Sequence, residues 1–204
     1  MNALRINKTE KKIGISASAA GKQERRLLFV LGCILGMLLF IAVYGVCVLD
    51  VTYDAWLLNA DMDLSQHYIG WCHYRMDPWH FPIGLIDSLS YPTNMSVIYT
   101  DSIPLFAFVF KLFARVLPQK FQYFGLFGLL SFALQGGISA LLIRKFTDKK
   151  WLCIVSSVFF VLSFPVLQRM FYHTALAAQW IILLAMLLWF SQEQFDTTAK
   201  KCRV

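Results

Sequence analysis

The chain is 204 residues long, 58% of them are apolar, and its mean hydropathy is +0.57. These values exceed what a soluble domain of this length carries, so the composition argues against a soluble globular protein and predicts an integral membrane protein. The net charge of +7 would suit nucleic acid, but the basic residues cluster beside apolar runs, as the cytoplasmic flanks of membrane spans do. We therefore expect membrane lipid, and no nucleic acid, among the partners.

The chain begins with a polar, basic segment, residues 1–25, whose weak hydrophobic periodicity predicts a loose cytoplasmic tail. An uncharged run follows over residues 27–49, and its 23 residues are enough to cross a hydrocarbon layer about 30 Å thick. We predict a first span over 26–49 that runs outward. Gly32 and Gly36 on this span permit close helix contact, for which internal packing is favoured over a dimer interface.

Residues 50–120 are expected to form a long polar loop on the outer side of the membrane. Seven of the twelve carboxylates of the chain lie in its first part. Within this loop, the segment 62–75 predicts a short helix, which Asp61 caps by accepting backbone N–H groups and which the Asp-Pro pair at 77–78 ends.

A second segment of the loop, 102–117, is apolar and bounded by prolines, and it contains Lys111 and Arg115. It is short for a span, and counting it as one would place the next basic cluster outside, against the positive-inside rule. We therefore predict a helix lying in the outer interface, with its apolar side chains in lipid and its two cations toward headgroups.

Three further spans are predicted from apolar runs joined by short connections, over 121–143, 151–171 and 174–191. Pro165 predicts a bend in the second of them, and residues 192–204 are expected to form a cytoplasmic tail. The predicted fold class is therefore an all-α integral membrane protein. It has about four transmembrane helices, both termini inside, and an outer loop with short juxtamembrane helices.

The predicted loop helix places Asp63, Gln66, His67 and Gly70 on one face, because the last three follow Asp63 by three, four and seven residues. This face presents a carboxylate, an amide, an imidazole and a gap without a side chain, which suits a polyhydroxylated substrate. Other interpretations stay open. Asp61 can be a cap alone, His67 can simply pair with Asp63, and the two could hold a divalent metal, for which two ligands are weak support.

Five short motifs stand out as a set: Asp63-Leu-Ser-Gln66-His67-Tyr68-Ile-Gly70-Trp71, Phe81-Pro-Ile-Gly84, Thr100-Asp101-Ser-Ile-Pro104, Phe121-Gln-Tyr-Phe-Gly125 and Leu134-Gln135-Gly136. Together they resemble an uncharacterised bacterial family of multi-spanning membrane proteins that is grouped with the GT-C-type glycosyltransferases. Those enzymes transfer sugars from polyprenyl-phosphate donors outside the cytoplasm. The resemblance covers about 50–190 and implies a GT-C-like module in the bacterial cytoplasmic (inner) membrane, with a cytoplasmic N-terminus.

The resemblance implies that Asp63 is the general base for an acceptor hydroxyl. Asp61, two residues before it, is a second candidate catalytic carboxylate. The resemblance also implies a polyprenyl-phosphate sugar as donor, whose departing phosphate requires cations on the outer side. The candidate substrate-binding residues are Gln66, His67, Asp101, Lys111, Arg115, Arg169 and His173, and Lys120 is a further cation on this side.

Members of the resembling families are longer and have more spans, against which the lipid tail of the donor sits. The resemblance therefore covers their N-terminal part only, and we expect further spans from a longer product or from a partner chain. This chain alone is expected to be inactive. The alternative function is a non-catalytic membrane protein that binds a polyprenyl lipid or a partner subunit. A transporter ranks last, since the interiors of the first, second and fourth predicted spans lack charged residues.

Overall fold

The computed structural model describes residues 2–58 and 63–191, with side chains from residue 21 onward in those ranges. The described residues form eight α-helices, and the prediction of a mostly helical fold is confirmed. The helices are α1 Asn2–Tyr44, α2 Ala55–Leu58, α3 Asp63–Met76, α4 Pro104–Lys111, α5 Phe124–Ile143, α6 Lys150–Val161, α7 Phe164–Arg169 and α8 Trp180–Trp189. Three short 3-10 helices accompany them, Cys47–Leu49, Val97–Thr100 and Thr174–Ala177, with an antiparallel ribbon of β1 Leu85–Ile86 and β2 Met95–Ser96.

Helix α1 differs from the sequence prediction at both ends. It begins at Asn2, so the expectation of a loose tail over 1–25 was wrong. Residues 1–24 contain no proline and include four Ala and four Lys, which have high helix propensity. The helix ends at Tyr44, five residues before the predicted end, because Gly45 follows in the left-handed conformation with φ +77°.

Two helices within the described residues are long and apolar enough to cross a membrane, Gly21–Tyr44 with 24 residues and Phe124–Ile143 with 20. The single helix predicted over 151–171 is two helices, because α6 ends at Val161 and α7 begins with Pro165 in its first turn. Proline lacks the N–H that would continue the helix. The segment predicted over 174–191 is a 3-10 helix followed by the ten residues of α8.

The described parts of residues 1–36, 133–160 and 180–204 form one compact unit. Within it, α1 and α5 approach closely at Gly32 and Gly136. A Cβ atom at Gly32 would lie 2.5 Å from the carbonyl oxygen of Gly136, so only glycine fits there. The prediction that Gly32 serves internal helix packing is therefore confirmed. Ile138, Leu142 and Leu183 form a small buried apolar cluster in the same unit.

The described parts of residues 37–132 and 161–179 form a second compact unit, whose larger apolar core is built around α3. The helix predicted over 62–75 is confirmed to within one residue at each end. Trp71 is fully buried and donates its indole N–H to the carbonyl oxygen of Phe121 over 2.9 Å. Tyr68 donates its hydroxyl to Asp54 Oδ2 over 3.2 Å. These bonds fix the orientation of α3.

The segment predicted as one interfacial helix over 102–117 is helical only in α4, and turns continue from there to Leu117. Arg75 on α3 holds these turns. Its guanidinium group donates hydrogen bonds of 2.7–3.2 Å to four carbonyl oxygens, those of Ala114, Leu117, Pro118 and Gln119. Carbonyl groups at the end of a helix need partners, and here one arginine supplies them.

Candidate functional site

The loop 100–103 brings Asp101 to helix α3. Asp101 follows the 3-10 helix Val97–Thr100 and adopts the left-handed conformation, with φ +52°. The next residue, Ser102, is buried and donates its hydroxyl to the carbonyl oxygen of His67 over 2.6 Å. The Tyr123 hydroxyl in turn donates to the carbonyl oxygen of Ser102. The loop is therefore held between α3 and the start of α5, and its conformation places Asp101 beside His67.

The loop also occupies the gap at Gly70, which the sequence analysis assigned to a substrate. A Cβ atom at Gly70 would overlap the side chain of Thr100 and lie 2.8 Å from Ser102 Oγ. Gly70 is itself buried. The interpretation of this gap as a seat for a sugar was therefore wrong, because glycine is needed here for close packing of the loop on α3.

His67 and Asp101 form a pair, with 3.4 Å between His67 Nε2 and Asp101 Oδ2. The His67 side chain is only 2% exposed and stacks on the ring of Phe124, whereas the Asp101 side chain is 37% exposed. His67 Nδ1 is buried and has no hydrogen-bond partner among the described residues. The aspartate is thus the solvent-facing member of a pair whose histidine is enclosed.

Burial sets the protonation of this pair. It lowers the pKa of His67, while the negative charges of Asp101 and then Asp63 oppose that shift. Burial likewise raises the pKa of Asp101, against the charge of His67. A neutral imidazole with its proton on Nε2, directed at Asp101, fits both shifts and leaves Nδ1 unprotonated. The arrangement keeps the partly exposed carboxylate of Asp101 next to the His67 imidazole, a group that can be neutral or protonated.

A second pair lies beside the first, formed by Asp63 at the start of α3 and His173. Asp63 Oδ2 is 3.6 Å from His173 Nδ1, and the two side chains are 56% and 42% exposed. Both residues also act electrostatically on His67, since Asp63 raises its pKa and His173 lowers it. Asp63, His67, Asp101 and His173 therefore form one group, which we call the His/Asp cluster. His67 and Asp63 were expected to pair with each other. Instead, His67 pairs with Asp101 and Asp63 pairs with His173.

The remaining predicted residues lie at or outside the border of this cluster. Gln66 is exposed and donates its amide to the carbonyl oxygen of Tyr99 over 3.5 Å, next to the loop that carries Asp101. Lys120 pairs with Asp54 over 3.4 Å, away from the four cluster residues. Arg169 ends α7, and its carbonyl oxygen accepts the backbone N–H of His173 over 3.0 Å. Asp61 lies outside the described residues.

Lys111 occupies a position opposite to the one predicted. It was expected to face headgroups, but it is only 4% exposed. Its Nζ lies 3.9 Å from the centre of the Tyr74 ring and 4.8 Å from that of Trp79, and it donates to the carbonyl oxygen of Pro78 over 3.2 Å. The aromatic rings attract the ammonium group, which explains how the charge is accommodated. Burial lowers the pKa of Lys111, and Asp77 opposes that shift.

Lys111 lines a cavity of about 770 Å³ together with Arg75, Arg115 and Trp79. Both terminal nitrogens of Arg75 donate to carbonyl groups, and the Lys111 ammonium group donates to the carbonyl oxygen of Pro78. Arg115 is exposed and has no ion-pair partner among the described residues, so its guanidinium group is available to a ligand. None of the His/Asp cluster residues lines this cavity. We refer to it as the cation cavity.

A family model described as domain of unknown function (DUF6311) matches residues 33–203, most of the chain. The chain belongs to this family. No curated protein and no solved structure matches it. The DUF6311 match includes α3, the 100–103 loop, the His/Asp cluster and the cation cavity, so both sites are parts of the family domain.

Within the described part of the DUF6311 domain, no group of three or more His, Cys, Asp or Glu side chains is arranged to hold a metal ion. Sequence reasoning missed two features, the four carbonyl contacts of Arg75 and the enclosure of Lys111 by Tyr74 and Trp79. Lys111 is more than thirty residues distant from both aromatic residues, so no local spacing indicated the contact.

Proposed function

We propose that this DUF6311 protein is a membrane glycosyltransferase-like protein that takes a sugar from a polyprenyl-phosphate donor and transfers it to an acceptor outside the cytoplasm. The observation that carries the proposal is the His/Asp cluster, in which the exposed carboxylate of Asp63 lies 3.6 Å from His173. A general base must be reachable by the hydroxyl from which it takes a proton, and Asp63 meets this requirement. The GT-C resemblance of the surrounding motifs supports the same role.

In the proposed reaction, Asp63 accepts the proton of the acceptor hydroxyl as that oxygen attacks the anomeric carbon. The bond between this carbon and the phosphate oxygen breaks, and the polyprenyl phosphate leaves with the electron pair. His173 orients the carboxylate of Asp63 through their contact. His67 and Asp101 complete the cluster, with His67 enclosed and Asp101 partly open to solvent.

Placement at a membrane is part of this proposal. The two long apolar helices, Gly21–Tyr44 and Phe124–Ile143, support it by length and composition. The basic residues that precede the first of them support a cytoplasmic N-terminus. The inner membrane of a bacterium is what the resemblance of the motifs implies. With that orientation, the loop that carries the His/Asp cluster faces outward, where lipid-borne sugars are available and nucleotide sugars are not.

The test is sugar transfer in membranes that contain this chain together with the further spans expected from a longer product or a partner chain, with labelled polyprenyl-phosphate sugars as donors. Asp63→Asn is expected to abolish transfer while leaving insertion unchanged, because the amide cannot accept the proton. Asp87→Asn is the matched control, since Asp87 lies in the same loop and also pairs with a histidine, His80, over 3.1 Å. Transfer by Asp63→Asn at the rate of the control would remove Asp63 as the base.

A second function is favoured by the cation cavity. Its volume, its exposed Arg115 and the aromatic wall at Trp79 suit the phosphate end of a lipid without any chemistry. On this alternative the chain is a non-catalytic protein that binds a polyprenyl lipid or a partner subunit. Retained binding of polyprenyl phosphate by wild-type protein that shows no transfer, together with loss of that binding in Arg115→Gln, would favour it.

A further inference from the structure

A second cavity lies in the unit that contains the start of the apolar part of α1 and the end of α5. Its volume is about 540 Å³. Its lining includes the cations Arg25 and Lys145 and the apolar residues Leu141, Leu187 and Leu188. None of its lining residues belongs to the His/Asp cluster or to the cation cavity. Its role is therefore separate from the proposed transfer site.

The acidic groups of this cavity are already neutralised. Arg144 Nε lies 3.0 Å from Glu24 Oε1, and Arg144 Nη1 lies 2.5 Å from Asp148 Oδ1. Lys150 also approaches Glu24, with 3.5 Å between Nζ and Oε2. Both carboxylates that line the cavity are thus committed to these partners, and neither compensates the remaining cations.

Arg25 and Lys145 carry the uncompensated charge. Among the described side chains, no carboxylate forms an ion pair with either of them. Lys145 is half-buried, and its pKa is lowered first by burial and then by the positive charge of Arg25. Two cations that repel each other at a concave surface create a positive potential that an anion would relieve.

The apolar lining of the cavity indicates what kind of anion fits. Leu187 packs against the buried cluster of Ile138, Leu142 and Leu183, and Leu188 is largely exposed. A phosphate group between the cations would therefore place an attached hydrocarbon chain against leucine side chains. A free inorganic anion would leave this apolar surface uncovered.

We propose that this cavity binds an anionic phospholipid, with the headgroup phosphate between Arg25 and Lys145 and an acyl chain along Leu187 and Leu188. The proposal uses the membrane placement argued above but not the sugar transfer. Basic pockets beside the cytoplasmic ends of membrane helices are suited to such headgroups. The lipid would hold the start of the apolar part of α1 and the end of α5 at the level of the headgroups.

The test measures lipid binding to the full chain, delipidated and kept in a neutral detergent, by thermal stabilisation on titration. Phosphatidylglycerol and phosphatidylcholine with the same acyl chains are compared. The test variant is Arg25→Gln/Lys145→Gln. The matched control is Lys22→Gln/Lys149→Gln, which removes the same charge from the same two segments at positions that do not line the cavity. We expect the test variant to lose affinity for phosphatidylglycerol by roughly 10- to 30-fold, and the control to lose little.

Three results would overturn the proposal. One is equal binding of the two lipids by the wild-type chain, and another is equal loss of affinity in the test and control variants. The third is full stabilisation by inorganic phosphate alone, which would make a soluble phosphate the ligand. Should the test variant not fold, a wild-type preference for phosphatidylglycerol that disappears at high salt supports the proposal, and a preference unaffected by salt contradicts it.

Discussion

Replacing Gly70 with alanine tests how the 100–103 loop is seated on α3. The added Cβ would overlap the side chain of Thr100 and lie 2.8 Å from Ser102 Oγ. Overpacking of this kind costs about 1–3 kcal/mol, and displacing Ser102 from His67 loses a buried hydrogen bond worth about 1 kcal/mol. The higher helix propensity of alanine returns about 1 kcal/mol. We therefore expect the free energy of unfolding to fall by about 1–3 kcal/mol.

The assay is denaturant unfolding of the detergent-solubilised chain, followed by circular dichroism. Gly21→Ala is the control, because a Cβ at Gly21 on α1 meets no atom within 4 Å, and alanine there should leave stability unchanged or slightly higher. Thr100→Gly in the Gly70→Ala background removes the overlapping Cβ and should restore part of the loss. Stability of Gly70→Ala equal to or above that of the wild type would refute the packing of the loop against α3.

Three further outcomes are expected. Asp101→Asn should lower the pKa of His67 further, because it removes the charge that raises this pKa most. Histidine NMR titration measures this pKa, and an unchanged value would contradict the pairing of His67 with Asp101. Wild-type stability should fall as the pH drops below about 6.5, since the unfolded histidine takes up a proton that buried His67 resists. His67→Gln should remove that part of the pH dependence in unfolding measurements. Arg75→Gln should destabilise the chain by about 1.5–3 kcal/mol through lost charged hydrogen bonds, whereas exposed Arg115→Gln should stay within about 0.5 kcal/mol. Equal melting curves for these two variants would contradict the role of Arg75.

The sequence predicted correctly the helix ends that neighbouring residues determine. The end of α3 followed from the Asp-Pro pair that comes after it, and Pro165 marked a real interruption. The length of an apolar run was a poorer guide, because α1 stops at Gly45 although apolar residues continue to Leu49. Apolar composition measures affinity for hydrocarbon, whereas a helix end is set by backbone conformation.

The candidate site was predictable only on its helical side. Spacing placed Asp63, Gln66 and His67 on one face of α3, and the structure agrees. The partners of this face lie far along the chain, Asp101 for His67 and His173 for Asp63. Neither pairing has a signal in spacing, since both depend on how loops return to the helix.

Unusual backbone conformations are concentrated beside the His/Asp cluster. Within the described chain, four residues other than glycine have positive φ, and three of them, Asp101, Ile103 and Phe171, lie in the two segments that supply Asp101 and His173. A left-handed conformation costs an ordinary residue about 1–2 kcal/mol, and it is least favourable for a β-branched residue such as Ile103.

The fold compensates this cost by burial and hydrogen bonding. Ile103 is only 6% exposed and lies in the apolar core around α3. The neighbouring Ser102 forms hydrogen bonds through both its hydroxyl group and its carbonyl oxygen. Phe171 packs edge-on against the rings of Tyr44 and Trp56. A loop without a function could relax to extended backbone. Residues that the surrounding packing holds in a strained backbone conformation are characteristic of functional sites. This strain borders the cluster and not the cation cavity, so it supports the proposed role of Asp63 over the alternative of lipid binding alone.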